Sequence, residues 1–280
     1  MVDYHIHTNK GWDSKHSMEE MVKGAILVGA TEMALTDHVD PAFEKGVPTG
    51  AFKWDIDYVQ YINELGALRE KYKGQIRLTF GVEISVEPVS KAVIEAFLAK
   101  WPFEFVIGSM HDVGGMDLYY PEYYEGKTKR QAYEQYFINM KHTAEAVNGF
   151  HVFGHLDYIE RYDRDKYAPY ENKELVYEEY TELIDGALRA IIQNGKGIEI
   201  NTSGGRYLQN RNANDVAHPR FKILKRYKEL GGEIITIGSD AHTPERICYN
   251  FAEAKRVLLE AGFKSITVFR GGKPQFVDIR

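Results

Sequence analysis

Short apolar segments alternate with longer amphipathic segments along this chain of 280 residues. Segments 2–7, 75–82 and 103–109 have the length and apolar content of buried strands, whereas 55–72 has apolar residues at i, i+3 spacing, as in an amphipathic helix. Strands that alternate with helices predict parallel β/α units. About seven or eight such units favour a barrel over an open sheet, so we predict an α/β fold in which one (β/α) barrel domain spans 1–280.

Residues that can bind metals or hold metal ligands follow the predicted strands at nearly every strand end. They are His5, His7, Asp37, His38, Glu83, His111, His155, Glu199, Asn201, Asp240 and His242. The carboxyl ends of the strands of a β/α barrel meet at one mouth, where active sites form. His5 and His7 also point to the same face of their strand, because side chains alternate with a period of two. The pattern therefore predicts a metal site at the C-terminal mouth of the barrel.

These side chains can be divided among three metal positions. The first would use His5, His7, Glu83 and Asp240, the second Glu83 as a bridge with His111 and His155, and the third His38, His242 and either Asp13 or His16. Nitrogen and oxygen donors without a thiolate favour Zn, Mn or Fe over Mg, Ca or an iron–sulfur cluster. Three divalent ions against three carboxylates would leave a local charge of about +3, which attracts an anion such as phosphate.

Each element of the pattern also has a simpler interpretation. His5 and His7 could be half-buried histidines of a barrel strand, and Asp37 and Asp240 could cap the loops that follow their strands. Metal-ligand residues at so many strand ends are nevertheless not what scattered surface histidines would produce. The coincidence favours the metal site.

The composition of the chain limits the cellular compartment and the classes of partner that we expect. The formal net charge is −6, whereas a nucleic-acid binder usually carries a basic excess. No apolar run reaches the roughly 18 residues that span a membrane, and the amino terminus lacks the apolar core of a secretory signal. Cys248 is the single cysteine, so an intrachain disulfide is excluded. We expect a cytoplasmic protein with a small-molecule substrate and neither a nucleic-acid nor a membrane partner.

The ordered motifs resemble those of the polymerase-and-histidinol-phosphatase (PHP) family of metal-dependent phosphoesterases. The resemblance rests on His5-Ile6-His7-Thr8, Thr36-Asp37-His38, Glu83, His111, His155 and Asp240-Ala241-His242. It implies a distorted barrel, usually seven-stranded, with three divalent metal ions. The implied ligands are His5, His7, Asp13, His38, Glu83, His111, His155, Asp240 and His242, with His16 as the alternative to Asp13.

Within the family, the chain resembles the stand-alone histidinol-phosphate phosphatases. The shared segments are His155-Leu156-Asp157 with Arg161-Tyr162, and Glu199 to Arg206. The resemblance implies that Arg161 and Arg206 bind the substrate phosphate, which agrees with the bidentate geometry of guanidinium groups. The expected reaction is hydrolysis of L-histidinol phosphate by a metal-bound hydroxide in histidine biosynthesis. A metal-bound group, Asp13 or His242 would protonate the leaving alkoxide.

Several alternatives stay open at this point. The chain could be a PHP phosphoesterase for nucleotides, sugar phosphates or phosphopeptides, because the metal site would be shared. A metal-dependent amidohydrolase also uses an HxH motif on its first strand, but His111 stands where that class has a carbamylated Lys or Glu. A non-enzymatic PHP domain is the third alternative. Arg161 could instead form a surface ion pair with Glu160 or Asp163.

Overall fold

The computed structural model describes residues 1–162, 175–203 and 219–279. Its strands are β1 (Val2–Ile6), β2 (Glu32–Leu35), β3 (His38–Val39), β4 (Pro41–Glu44), β5 (Val47–Phe52), β6 (Arg77–Ser85), β7 (Phe105–Ser109), β8 (Asp112–Val113), β9 (Met116–Asp117), β10 (Val152–Phe153), β11 (Gly197–Asn201), β12 (Ile235–Gly238), β13 (Ser265–Arg270) and β14 (Lys273–Asp278).

The helices are α1 (Met18–Leu27), α2 (Tyr58–Lys71), α3 (Lys91–Lys100), α4 (Lys129–Ala146), α5 (Ile159–Tyr162), α6 (Thr181–Gln193), α7 (Pro219–Glu229) and α8 (Phe251–Glu260). Short 3-10 helices cover Pro88–Ser90, Pro121–Tyr123, Tyr177–Glu179 and Pro244–Arg246. Within the described ranges, no helix combines the length and apolar character needed to cross a bilayer.

Seven parallel strands form a nearly closed barrel in the order β1-β2-β6-β7-β10-β11-β12, and β3 pairs with the end of β6. The circle is completed between β1 and the residues after β12. There the His7 N–H donates to the carbonyl of Ala241 at 2.9 Å, and the Ala241 N–H donates to that of His5 at 3.3 Å. This arrangement confirms the predicted barrel and directs the carboxyl ends of all seven strands to one mouth.

Local sequence explains where the first helix begins. Ser17 and Glu20 form the capping box expected from their spacing, with the Ser17 N–H donating to Glu20 Oε2 at 2.8 Å. The apolar face of α1 then buries Met18, Met21 and Val22 against the barrel. Because α1 packs behind the loop that leaves β1, this cap also fixes where that loop ends.

The core face of α2 agrees in part with the predicted i, i+3 stripe, since Leu65 and Leu68 are buried, but Val59 is not part of it. Val59 is 61% exposed, whereas Tyr58 and Tyr61 are buried together with Leu65. The Tyr61 hydroxyl donates to Asp37 Oδ2 at 2.8 Å, so a polar contact at the end of the ring decides which side of the helix faces inward. Apolar spacing alone does not detect this contact.

The secondary structure of the carboxyl-terminal segment also differs from the one that the sequence predicts. The sequence pattern of 244–259 predicts one continuous helix, but Cys248 and Asn250 have left-handed φ angles of 55° and 57°, and α8 begins only at Phe251. The apolar run 265–269 predicts a last strand, and the structure places it in the antiparallel hairpin β13–β14 rather than in the barrel. Tyr4, Phe105 and Phe269 pack together, and the Phe269 N–H donates to the Tyr4 hydroxyl at 2.9 Å, which joins the hairpin to β1.

Candidate metal centre

Glu83 is the hub of the polar cluster at the barrel mouth. It lies late in β6, is fully buried, and is the register partner of His38 on β3. Imidazole nitrogens approach its Oε2 from His5 Nε2 (3.0 Å), His38 Nδ1 (3.1 Å) and His7 Nε2 (3.5 Å), and its Oε1 from His155 Nε2 (2.8 Å) and His111 Nε2 (3.3 Å). One carboxylate therefore contacts five histidines from four separate segments.

Two further carboxylates continue the cluster toward the rim. Asp240 Oδ1 lies 3.2 Å from His7 Nε2, and the left-handed backbone at Asp240, with φ of 54°, turns this residue immediately after β12. Asp13 Oδ2 lies 2.5 Å from His242 Nε2 and 3.3 Å from His38 Nε2. Asp240 thus lies against the histidines, as the predicted ligand role requires, rather than serving only as the cap of its loop.

Ligand atoms from these residues converge in three overlapping groups, each within 4.8 Å. The groups are His5, His7 and Glu83; His38, Glu83 and His111; and His7, Asp13, His38 and His242. His38 takes part in two of them, whereas the sequence analysis gave it to one position. His16 lies apart, with Nδ1 3.8 Å from Glu20 on its neighbouring helix, so the structure brings Asp13 rather than His16 to the cluster.

The cluster has the properties of a cation site. Both ring nitrogens of His7, Nδ1 of His38 and Oδ1 of Asp13 are buried without a well-aligned hydrogen-bond partner in the described part of the chain. Such groups are costly to bury unless something compensates them. Imidazole nitrogens and carboxylate oxygens suit Zn, Mn or Fe, so the residues present fit the predicted metals.

Burial and charge act differently on neighbouring imidazoles. Burial alone would lower the pKa of His5, but Glu199, Glu83 and Asp240 raise it well above its usual value. Burial lowers the pKa of His7 to about 4, and the positive charges of His242 and His38 add to this effect. His7 is therefore neutral at pH 7, and its unprotonated ring nitrogen is available to a cation.

The carboxylates remain ionised despite their burial. Burial would raise the pKa of Glu83, but the adjacent His5, His38 and His111 hold it well below its usual value. Asp240 behaves in the same way, again chiefly through His5. The carboxylates are therefore ionised, with protonated histidines as their counter-charges, and a bound cation would take the place of those protons.

A second row of carboxylates orients the histidines. Glu199 Oε1 lies 2.7 Å from His5 Nδ1, while its Oε2 accepts the His155 N–H at 2.9 Å. Asp40 lies 3.1 Å from His111 Nδ1 and accepts the Ser85 N–H at 2.9 Å. Such partners fix the tautomer and direction of a ligand imidazole.

The sequence pattern places Glu199 at the mouth without indicating its role, and it does not mark Asp40. The position of Asp40, two residues after His38 and on the same strand periodicity, is the signal that could have drawn attention to it. Packing beside Glu199 is also tight: a Cβ at Gly238 would lie 2.1 Å from Glu199 Oε1 and 2.4 Å from the His5 Cβ. Glycine at this position lets β12 approach the two side chains.

We expect Glu199→Gln to lower the affinity of the protein for its metal ions about 10- to 100-fold. The carboxylate accepts on both oxygens, whereas a glutamine would turn an NH₂ group toward one of the donors around it. Competition titration with a chromophoric chelator measures the affinity. Glu229→Gln, on the exposed end of α7, is the matched control, and equal affinities for both variants would contradict the role of Glu199.

Two arginines are predicted to bind the substrate phosphate, and the structure describes only Arg161. Arg161 Nη2 donates to Asp240 Oδ2 and to Ser203 Oγ, each at 2.8 Å, so this side chain lies against the cluster. Asp163, one alternative ion-pair partner, lies outside the described residues, as does Arg206. The carboxylate of Glu160 accepts the Leu175 N–H at 2.8 Å.

Comparison with known proteins adds three findings. The PHP domain family model matches residues 3–203. The chain is 30% identical over 275 residues to the histidinol-phosphatase of Lactococcus lactis subsp. lactis IL1403, covering 97% of this chain and 95% of that protein. It is 33% identical over 269 residues to a probable histidinol-phosphatase of Clostridium acetobutylicum, covering 95% and 96%.

A solved structure is similar over nearly the whole fold. The crystal structure of histidinol phosphate phosphatase from Lactococcus lactis subsp. lactis Il1403, complexed with zinc, L-histidinol and phosphate, superposes with a TM-score of 0.84. The match has 30% sequence identity and covers 98% of each chain.

Proposed function

Because this chain belongs to the PHP domain family, we propose that it is a metal-dependent histidinol-phosphatase. It hydrolyses L-histidinol phosphate to L-histidinol and inorganic phosphate in L-histidine biosynthesis. The observation that carries the proposal is the convergence of five histidines on the buried carboxylate of Glu83 in a fold similar to the lactococcal enzyme. We further propose that 1–280 acts as one catalytic domain, and that it works in the cytoplasm, as its single cysteine suggests.

Nine side chains would hold three divalent ions of Zn, Mn or Fe. We assign this role to His5, His7, Asp13, His38, Glu83, His111, His155, Asp240 and His242. Bound divalent ions supply electrostatic stabilisation of the phosphoryl oxygens and an activated water for the attack on phosphorus. The orphaned nitrogens of His7 and the ionised state of Glu83 support the assignment.

The remaining chemistry falls to side chains around these ligands. Arg161, and by resemblance Arg206, would bind the phosphate and neutralise the charge that develops during its transfer. A guanidinium has five N–H donors in a planar fork, so its contact with Asp240 is compatible with a second anion. We assign protonation of the leaving alkoxide to a metal-bound group, Asp13 or His242; the facing atoms of the last two are 2.5 Å apart.

Arg161→Ala is expected to lower kcat/KM about 10²- to 10³-fold and to weaken product inhibition by inorganic phosphate, because a donor to the phosphoryl oxygens is lost. Steady-state kinetics with added phosphate measures both effects. Arg189→Ala, on the exposed side of α6, is the control. An unchanged inhibition constant for phosphate in the Arg161 variant would remove this residue from the phosphate site.

The main test measures phosphate release from L-histidinol phosphate and from nucleotides, sugar phosphates and a phosphotyrosine peptide. We expect a preference for histidinol phosphate of about a hundredfold or more, and complete loss of release after chelation. Preference for another ester would replace the substrate while keeping the metal chemistry. Release from none of them by protein with its full complement of metal would reject the phosphatase.

A further inference from the structure

Two tryptophans stack on each other at the rim of the metal centre, and nothing in the proposed chemistry uses them. We propose that this pair, Trp12 and Trp54, is the surface that binds the imidazole ring of the substrate and so determines specificity. The inference rests on the proposed function and deepens it, because it names the part of the chain that distinguishes this phosphomonoester from others.

The pair is formed by two separate segments of the chain. Trp12 lies on the loop that leaves β1, and Trp54 follows the β4–β5 hairpin. Their ring centroids are 5.0 Å apart, with planes 16° from parallel. Trp12 is nevertheless 61% exposed, so stacking leaves much of this large apolar ring in water. An exposed aromatic surface of this kind beside a polar site is typical of ligand contact.

The position of the pair ties it to the reacting centre. The Trp54 ring centroid is 6.1 Å from that of His38, and Trp12 directly precedes Asp13. The loop that carries Trp12 is held by Asp37, whose Oδ1 accepts the N–H groups of Thr8 at 2.6 Å and Gly11 at 3.3 Å. Both tryptophans are thus adjacent to residues of the cluster, on a loop with a defined shape.

The separation suits the size of histidinol phosphate. Its phosphorus and its imidazole ring are joined by a short chain that spans about 6–7 Å when extended, at bond lengths near 1.5 Å. With the phosphate at the cluster, the ring reaches the rim where Trp54 lies. Imidazole stacks on indole as a neutral ring, and its protonated form adds a cation–π attraction, for which tryptophan is the best partner.

Lys53, the charged residue beside the tryptophan pair, already forms ion pairs with two aspartates. Lys53 Nζ lies 6.0 Å from the Trp54 ring centroid, but it donates to Asp112 at 3.2 Å and Asp117 at 2.9 Å. Lys53 therefore anchors the segment before Trp54 rather than presenting its charge to an incoming ring. An aromatic, weakly basic group fits this surface better than a second phosphate.

Fluorescence tests the contact without catalysis. The chain contains three tryptophans; Trp101 follows α3, packs against Tyr58 with ring centroids 5.2 Å apart, and is not a member of the stacked pair. We expect L-histidinol, added to zinc-loaded protein, to change the emission of the wild type and of Trp101→Phe alike. The change should be largely lost in Trp12→Phe/Trp54→Phe. A response that survives in this double variant, or is absent from wild type, overturns the proposal.

Kinetics supplies the second readout. Trp54→Ala and Trp12→Ala should lower the ratio of kcat/KM for histidinol phosphate to that for phosphoethanolamine, which has no ring, about tenfold. Trp54→Phe should restore part of the ratio, and Trp101→Phe should leave it unchanged. Equal losses for both esters, or loss of bound metal, would show a structural role and reject the inference.

The two proposals fail in different ways. If the wild type does not hydrolyse histidinol phosphate, the proposed function fails, and with it the inferred substrate ring. If the wild type hydrolyses it and the ratio is the same in all tryptophan variants, the proposed function stands and the tryptophan surface is rejected.

Discussion

Glu83→Gln is expected to abolish hydrolysis and to lower the metal content of the purified protein. The change keeps the size of the side chain but removes the charge that five imidazoles share, at nitrogen-to-oxygen distances of 2.8–3.5 Å. Removing one partner of a buried charge pair costs about 3–5 kcal/mol of folding stability, and the metal ions lose a shared anionic ligand at the same time. Because Glu83 contacts several groups at once, the combined loss of activity should exceed that of any peripheral variant.

Elemental analysis and phosphate-release rates measure the two effects together. Glu70→Gln makes the same chemical change at a solvent-exposed position on α2. This control variant should keep full activity and metal content. A Glu83 variant that retained both its metals and its rate would exclude this carboxylate as a ligand. Circular dichroism shows whether the variant is folded before either result is interpreted.

Removal of the metal ions is expected to lower the unfolding temperature by about 10 °C and to stop hydrolysis. A ligand present at a thousand times its dissociation constant stabilises a fold by about 4 kcal/mol, and 1 kcal/mol shifts the midpoint of a domain near this size by about 2–4 °C. The stabilisation is lost because His7 and His38 then have buried nitrogens without a partner. Calorimetry with and without a chelator measures the shift.

Re-addition of Zn or Mn should restore both the midpoint and the rate. The Glu83→Gln variant is the control, since a protein that already lacks its metals has little stabilisation left to lose. An identical midpoint for the metal-free and metal-loaded wild type would mean that the cluster is stable without cations. That result would contradict the interpretation of the orphaned nitrogens.

The barrel and the cluster could be predicted from sequence because they depend on patterns within short segments of the chain. A ligand residue at the end of a short apolar strand needs only the strand period and parallel packing to reach the common mouth, as His5, His7 and Glu83 do. The placement of His111 and His155 follows in the same way. No knowledge of distant contacts is required for these residues.

Other features depend on contacts between distant segments. The rotation of α2 is decided by the bond from Tyr61 to Asp37, and the last strand leaves the barrel because it pairs with β14 and packs on Tyr4. The link from Glu199 to His5 joins residues 194 positions apart. No local repeat in the sequence indicates any of these partners, so they can be identified only in the folded structure.

Closure of the barrel has a consequence for the order of events during folding. Asp3 accepts the N–H of Ser239 at 2.9 Å across 236 positions of sequence, and β12 meets β1 at the same seam. Contacts between residues so far apart in sequence form slowly, because the entropy of closing a long loop is lost before the contacts contribute any stabilisation. In a nascent chain Glu83 and His111 emerge well before Asp240, so the centre can be completed only after the segment that follows β12 has been made. The complete centre is therefore a late product of folding, and metal capture before that point would engage a partial ligand set.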